Sequence, residues 1–108
     1  MSIQLPAPID HYIRIENSGD VEALSQCFAA DAVVHDEGRT HEGLDAIKKW
    51  KAATKKKYGH TVTPLEVADR NGKVVLNVRL AGNFAGSPVT VAFSFVLEHG
   101  RIASLRIG

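Results

Sequence analysis

A single cysteine, Cys27, is all that the sequence holds, which excludes an intramolecular disulfide and a cysteine-rich metal cluster. With Leu24 and Phe28 beside it, Cys27 reads as a buried core position and not as a nucleophile. An excess of one charge is lacking too. There are 13 Lys and Arg against 12 Asp and Glu, a formal net charge of +1, so no overall field draws the chain to nucleic acid or to a membrane surface. No run approaches the roughly 18 apolar residues of a membrane span. The opening "MSIQLPAPID" has neither the basic flank nor the apolar stretch of a signal peptide, and a cytoplasmic protein is the expectation. Nothing recurs at a period of roughly 20 to 50 residues and no low-complexity tract is present, which sets repeat architectures aside. What is there, 108 residues of 44% hydrophobic composition, suits one domain over residues 1–108 with one core.

The hydrophobic pattern divides the chain in two. Pro6 and Pro8 stand where a helix can begin, and Ile9, Tyr12, Ile13 and Glu16 share a face at helical spacing, predicting a first helix over about residues 7–17. "NSGD" ends it, with Gly19 past the C-terminus and Asp20 as cap of a second helix whose inward residues are Val21, Leu24, Cys27 and Phe28. "DAVVHDEG" reads as a short strand, and "GLDAIKKWKAATKKKYG" as a third helix with Leu44, Ile47, Trp50 and Ala53 on its inner stripe. After Gly59 the period becomes two. "TVTPLEVAD", "KVVLNVRLAG", "PVTVAFSFVLEHG" and "RIASLRIG" predict four strands joined by an Asn-Gly hairpin, a longer glycine-containing loop and a tight turn. Pro64 places the first of these at an edge or at a bulge. Helices followed by a meander define an α+β protein with helices on one face of a curved sheet.

Tyr12 and Asp36 both fall on inward-looking sides of this arrangement, where apolar residues are the cheaper choice. Taken singly, each has an ordinary explanation: Tyr12 as a core aromatic with its hydroxyl at the rim, Asp36 as a turn residue before Glu37 and Gly38. "HDEGRTHE" brings His35, Asp36, His41 and Glu42 close in sequence. Adjacent strand residues point to opposite sides and no helical i, i+4 histidine pair exists, so no metal site is expected. Lys48, Lys49, Lys51, Lys55, Lys56 and Lys57 crowd the third helix and read as a solvated outer face, with no aromatic interleaving to suggest nucleic acid.

The order of elements, with "SGDVEALSQCFAADAVVHDEG", "HEGLDAIKKW" and "EHGRI", resembles the SnoaL-like and ketosteroid-isomerase-like branch of the nuclear transport factor 2-like superfamily. The resemblance covers nearly the whole chain. It implies a conical fold in which three N-terminal helices pack on a curved, mostly antiparallel sheet and enclose an apolar pocket. It matches "YIRIENSGDVEALSQCFAADAVVHD" without a gap to ketosteroid isomerases, placing Tyr12 at the oxyanion-donating tyrosine and Asp36 at the general base. Desolvation in such a pocket would raise the aspartate's pKa and suit it to base duty. Phe28, Trp50, Phe93 and Phe95 are the expected ligand-binding wall.

The isomerases' second, protonated aspartate has no counterpart, since the count back from "HGRI" falls on Ala92 or Phe93. Two tyrosines that support the donor match Phe28 and Lys51. Epoxide hydrolases of the fold hold a water between an arginine and two aspartates; beside Arg14, Arg39 and Arg79 no second aspartate is evident. The resemblance implies no cofactor. It also implies a homodimer through a sheet face, for which the small set Pro88, Thr90, Ala92, Ser94 and Val96 is better suited than Val89, Val91, Phe93, Phe95 and Leu97. Two functions follow. One is an isomerase or cyclase moving a proton next to the carbonyl of an apolar substrate, with Asp36 as base and Tyr12 as donor. The other is a non-catalytic ligand-binding or dimerisation module, and the sequence does not decide between them.

Overall fold

The computed structural model describes residues 4–108. Residues 1–3, the start of the stretch read as lacking a leader, lie outside the described residues. Helix α1 runs over Ala7–Ser18 and stops at Gly19, whose left-handed backbone (φ 79°) lets its N–H reach the Ile15 carbonyl at 2.8 Å. Strand β1 covers Phe28–Asp36 and β2 covers Arg39–Glu42; helix α2 spans Leu44–Tyr58. Four strands follow, β3 Thr61–Arg70, β4 Lys73–Ala81, β5 Val89–Glu98 and β6 Arg101–Ile107. They form one six-stranded sheet in the order β2-β1-β6-β5-β4-β3, antiparallel throughout except where β1 and β6 run parallel. Among the described residues no helix is long and apolar enough to cross a membrane.

This is the expected α+β arrangement, with differences at the N-terminal half. The second helix is a single 3₁₀ segment, Val21–Gln26, and Phe28 opens β1 instead of closing that helix. The reason is competition for a carbonyl: that of Cys27 accepts the Ile102 N–H of β6 at 2.8 Å, so it serves the sheet and not another helical turn. A sixth strand, β2, was not foreseen. It pairs with β1 through a tight turn at Glu37 and Gly38, both left-handed (φ 54° and 74°), the geometry that matches strand twist in a two-residue hairpin. Pro64 lies on edge strand β3 at a register shift between Pro64 and Glu66, so its missing N–H breaks no ladder in the middle of the sheet. Ala53 is exposed; the buried stripe of α2 is Ile47, Trp50 and Lys51.

The core lies between the two helices and the concave side of the sheet. Ile9, Tyr12 and Ile13 of α1 meet Phe28 of β1, Leu76 and Val78 of β4, Phe93 and Phe95 of β5, and Ile102 and Leu105 of β6. Tyr12 packs edge-on against Phe28 and Phe95, with centroids 5.5 and 5.9 Å apart. Each fully buried side chain of this kind contributes about 1.5–3 kcal/mol, which holds α1 against the sheet and fixes where its last turn, bearing Glu16, must sit. Asn17 secures that turn. Its amide donates to the Val62 carbonyl (3.0 Å) and its oxygen accepts the Val62 N–H (2.7 Å).

Candidate functional site

Between α2, the β1–β2 turn and the concave sheet lies a cavity of about 190 Å³. Its apolar wall is Leu80, Phe84, Phe93 and Ile107, with Tyr58 at the rim. Its polar lining is Glu16, Asp36, Glu37, Lys51, Thr54 and His60. The pocket expected from the resemblance as apolar is therefore charged along part of its lining. Asp36, Glu37 and Ile107 also border a second, polar cavity of about 200 Å³.

Asp36 is the last residue of β1 and half-buried. The Trp50 indole N–H, reaching across from α2, donates to its Oδ2 at 3.0 Å. A charged acceptor with a neutral donor fixed on one oxygen keeps its rotamer while the other oxygen stays available. Trp50 thus sits behind Asp36 as its holder.

Tyr12 is placed differently from the sequence expectation. It is wholly buried, it is not among the residues lining the cavity, and its hydroxyl donates to Glu16 Oε2. Burial, and then the Glu16 charge, push its pKa well above that of free tyrosine. Of the other expected wall residues, Phe93 lines the cavity, whereas Phe28 and Phe95 belong to the core around the Tyr12 ring. The face of α2 read as solvated lysines is solvated only in part. Lys51 is 2% exposed, and Lys55 turns inward to donate to the carbonyls of Glu16 (2.8 Å) and His60, satisfying one backbone acceptor at the end of α1 and one between α2 and β3.

What the sequence reading missed is the cluster that these residues build. Glu16 is 1% exposed, and its Oε1 accepts Lys51 Nζ at 2.8 Å and His60 Nε2 at 2.7 Å. Burial alone would raise the carboxyl's pKa. The Lys51 charge and the hydrogen bonds from His60, Lys51 and Tyr12 outweigh it and hold the group at about 2. Burial pulls Lys51 below the ordinary lysine value, with Glu16 opposing. The ammonium also rests 4.0 Å from the Trp50 ring centroid, so one cation links the Glu16 side of the wall to the residue that holds Asp36. The signal available in the sequence was Glu16 itself, an acid on the buried face of α1. His60 gave none, being an isolated histidine after a helix-ending glycine.

His60 owes its position to close backbone packing. Gly82 lies against it so tightly that a Cβ there would stand 2.9 Å from His60 Cα and 2.8 Å from the Tyr58 carbonyl oxygen. Among the described residues no group of three or more His, Cys, Asp or Glu is arranged to hold a metal ion.

A family model for the SnoaL-like domain matches residues 9–105. No curated protein matches the chain. Among solved structures, a candidate polyketide cyclase from Sinorhizobium meliloti is 41% identical, with a TM-score of 0.92, over 96% of this chain and 95% of that one. A protein of ketosteroid isomerase-like fold from Catenulispora acidiphila, solved in complex with trimethylamine, is 23% identical, with a TM-score of 0.83, over 97% of this chain and 86% of that one. The second likeness is one of fold alone.

Proposed function

The chain belongs to the SnoaL-like domain family, and on that premise we propose that it is a small-molecule enzyme of the isomerase or cyclase kind that moves a proton next to a carbonyl. The observation that carries this reading is Asp36, a carboxylate on the cavity wall held by Trp50 Nε1 and facing the hydrocarbon of Phe93 and Ile107. Asp36 takes the proton from the carbon beside the carbonyl, the electron pair passes to the enolate, and the acid so formed returns the proton to the substrate. Tyr12 has no part in this proposal as oxyanion donor, because its O–H is spent on Glu16. The volume, below the roughly 300 Å³ at which pockets for drug-sized ligands begin, favours a compact carbonyl compound of about one ring. A cytoplasmic homodimer joined through the outer sheet face, where Ala92, Ser94 and Val96 are half-buried, completes the reading.

The test is exchange of solvent deuterium into the α-carbon of cyclohexanone. The parent protein is expected to accelerate it and Asp36→Asn to lose at least about 100-fold, the usual worth of a positioned base. Equal rates in parent and variant refute the proposal.

A second reading rests on the charge of the wall, three carboxylates (Glu16, Asp36, Glu37) against one lysine, beside the rings of Tyr58, Phe84 and Phe93. That lining suits non-catalytic binding of a small cation, and the Catenulispora protein was solved with trimethylamine. Saturable binding of trimethylamine without ketone exchange supports it; no binding removes it.

A further inference from the structure

Glu16 stays ionised with a pKa of about 2, and a carboxylate only accepts hydrogen bonds. The 2.7 Å contact with Oε1 therefore puts a proton on His60 Nε2. In the neutral imidazole this leaves Nδ1 as an acceptor with its lone pair free. His60 is 4% exposed and forms part of the cavity wall, and its Nδ1 is the only buried side-chain nitrogen or oxygen among the described residues without a hydrogen-bond partner. An unpartnered buried acceptor costs about 1–3 kcal/mol. None of the neighbouring donors of the wall pairs with Nδ1: Lys51 Nζ bonds Glu16, the Thr54 hydroxyl the Lys51 carbonyl (3.2 Å) and the Tyr58 hydroxyl Glu37 (3.1 Å).

We propose that His60 Nδ1 is the recognition point for a hydroxyl group of the ligand, so that the compound accepted here is a hydroxy-carbonyl and not a plain ketone. This deepens, and rests on, the carbonyl reading of the same cavity. Glu16, Lys51 and Tyr12 act through His60: Lys51 and Tyr12 keep the carboxylate charged and oriented, and the carboxylate fixes the imidazole tautomer. They are positioning residues. A ketone without the hydroxyl leaves Nδ1 unpaired, and sites built for a hydroxyl reject analogues that lack it.

The probes are cyclohexanone and 2-hydroxycyclohexanone, titrated into the full chain and followed by backbone amide shifts. The parent is expected to bind the hydroxy ketone at least about tenfold more tightly, a factor corresponding to about 1.4 kcal/mol. In His60→Gln the side-chain amide still donates to Glu16 but offers no acceptor where Nδ1 was, and the preference is expected to fall within about twofold. A purely structural role for His60 predicts rescue by Gln. On the parent itself, the imidazole ¹⁵Nδ1 resonance is expected to move with the hydroxy ketone and not with cyclohexanone, a readout that stands even where the variant folds poorly. Equal binding of both ketones by the parent, a preference kept in folded His60→Gln, or an unmoved ¹⁵Nδ1 signal each overturn the proposal. Asp36-dependent exchange with no hydroxyl preference sinks this inference and leaves the proton-transfer reading intact; a hydroxyl preference without exchange does the reverse.

Discussion

Replacing Lys51 by methionine keeps the length of the side chain and removes the ammonium that pairs with Glu16 at 2.8 Å. Breaking a buried ion pair from one side usually costs about 3–5 kcal/mol, and here the structure sets a ceiling. The stranded carboxylate can escape by taking a proton. From its ordinary value of 4.5, doing so at pH 7 means crossing about 2.5 pH units at about 1.36 kcal/mol each, roughly 3 kcal/mol. The remaining donors, Tyr12 and His60, can hold that cost somewhat lower. Urea unfolding at pH 7 is therefore expected to show Lys51→Met less stable by about 2–3 kcal/mol, and the gap should narrow as the pH is lowered toward 4.5. The parent should move the other way. A carboxyl held at about 2 when folded and 4.5 when unfolded contributes its full stabilisation above 4.5 and loses it, again roughly 3 kcal/mol, as the pH falls through 2. Glu16→Gln should lack that acid-side component. A loss below about 1 kcal/mol in Lys51→Met at pH 7, which is what a solvated lysine gives, would refute the account of a buried compensating charge.

Two other outcomes are expected from the packing. Cys27 is fully buried, and burial pushes its thiol up to about 12, so the native protein at pH 8 should resist a thiol-directed disulfide reagent over hours and react only on unfolding; prompt stoichiometric modification would show that the β1–β6 junction opens. Gly82→Ala forces a Cβ to within 2.8–2.9 Å of backbone atoms of Tyr58 and His60, and overpacking of this kind costs about 1–3 kcal/mol, read as a lower urea midpoint; an unchanged midpoint would mean that the β4 end moves away freely.

The meander was legible because its signals are local. Asn71-Gly72 sets a two-residue turn, Pro64 marks an edge strand with a bulge, and alternation from Val89 to Leu97 names the inner face, on which Phe93 and Phe95 are buried. β2 was not legible: four residues, Arg39–Glu42, with no apolar alternation pair only because the Glu37-Gly38 turn folds them onto β1. The Val21–Gln26 segment carries helical spacing yet is cut short by the sheet's claim on Cys27, a long-range effect that no local window contains. The same distinction governs the site. Asp36, by itself a plain turn residue, was singled out only through the resemblance to ketosteroid isomerases, whereas Lys51 looks like any other member of a lysine run. Only the approach of Glu16, 35 residues away, separates it from its neighbours, and His60 meets the same carboxylate from 44 residues away.

The cluster behind the cavity is not explained by stability. A buried pair such as Glu16 and Lys51 can generally be replaced by hydrocarbon of equal volume at little cost or with a gain of about 1–4 kcal/mol, and the aromatic surroundings of Tyr12 would receive apolar side chains readily. Four polar side chains are instead drawn together so that one carboxylate is saturated by three donors. The net product of that arrangement is narrow: an imidazole whose Nε2 proton is pinned and whose Nδ1 is unpaired, in the wall of the same cavity that Asp36 borders. Two groups border one cavity, the Asp36 carboxyl and the His60 imidazole with its unpartnered Nδ1, and both call for partners from whatever occupies the space. An enolisable carbon offers a proton to Asp36 only during reaction, while a hydroxyl offers one to His60 in the ground state. On the two proposals, binding and proton transfer draw on different atoms of the cavity, which is why Asp36→Asn and His60→Gln are expected to fail in different assays.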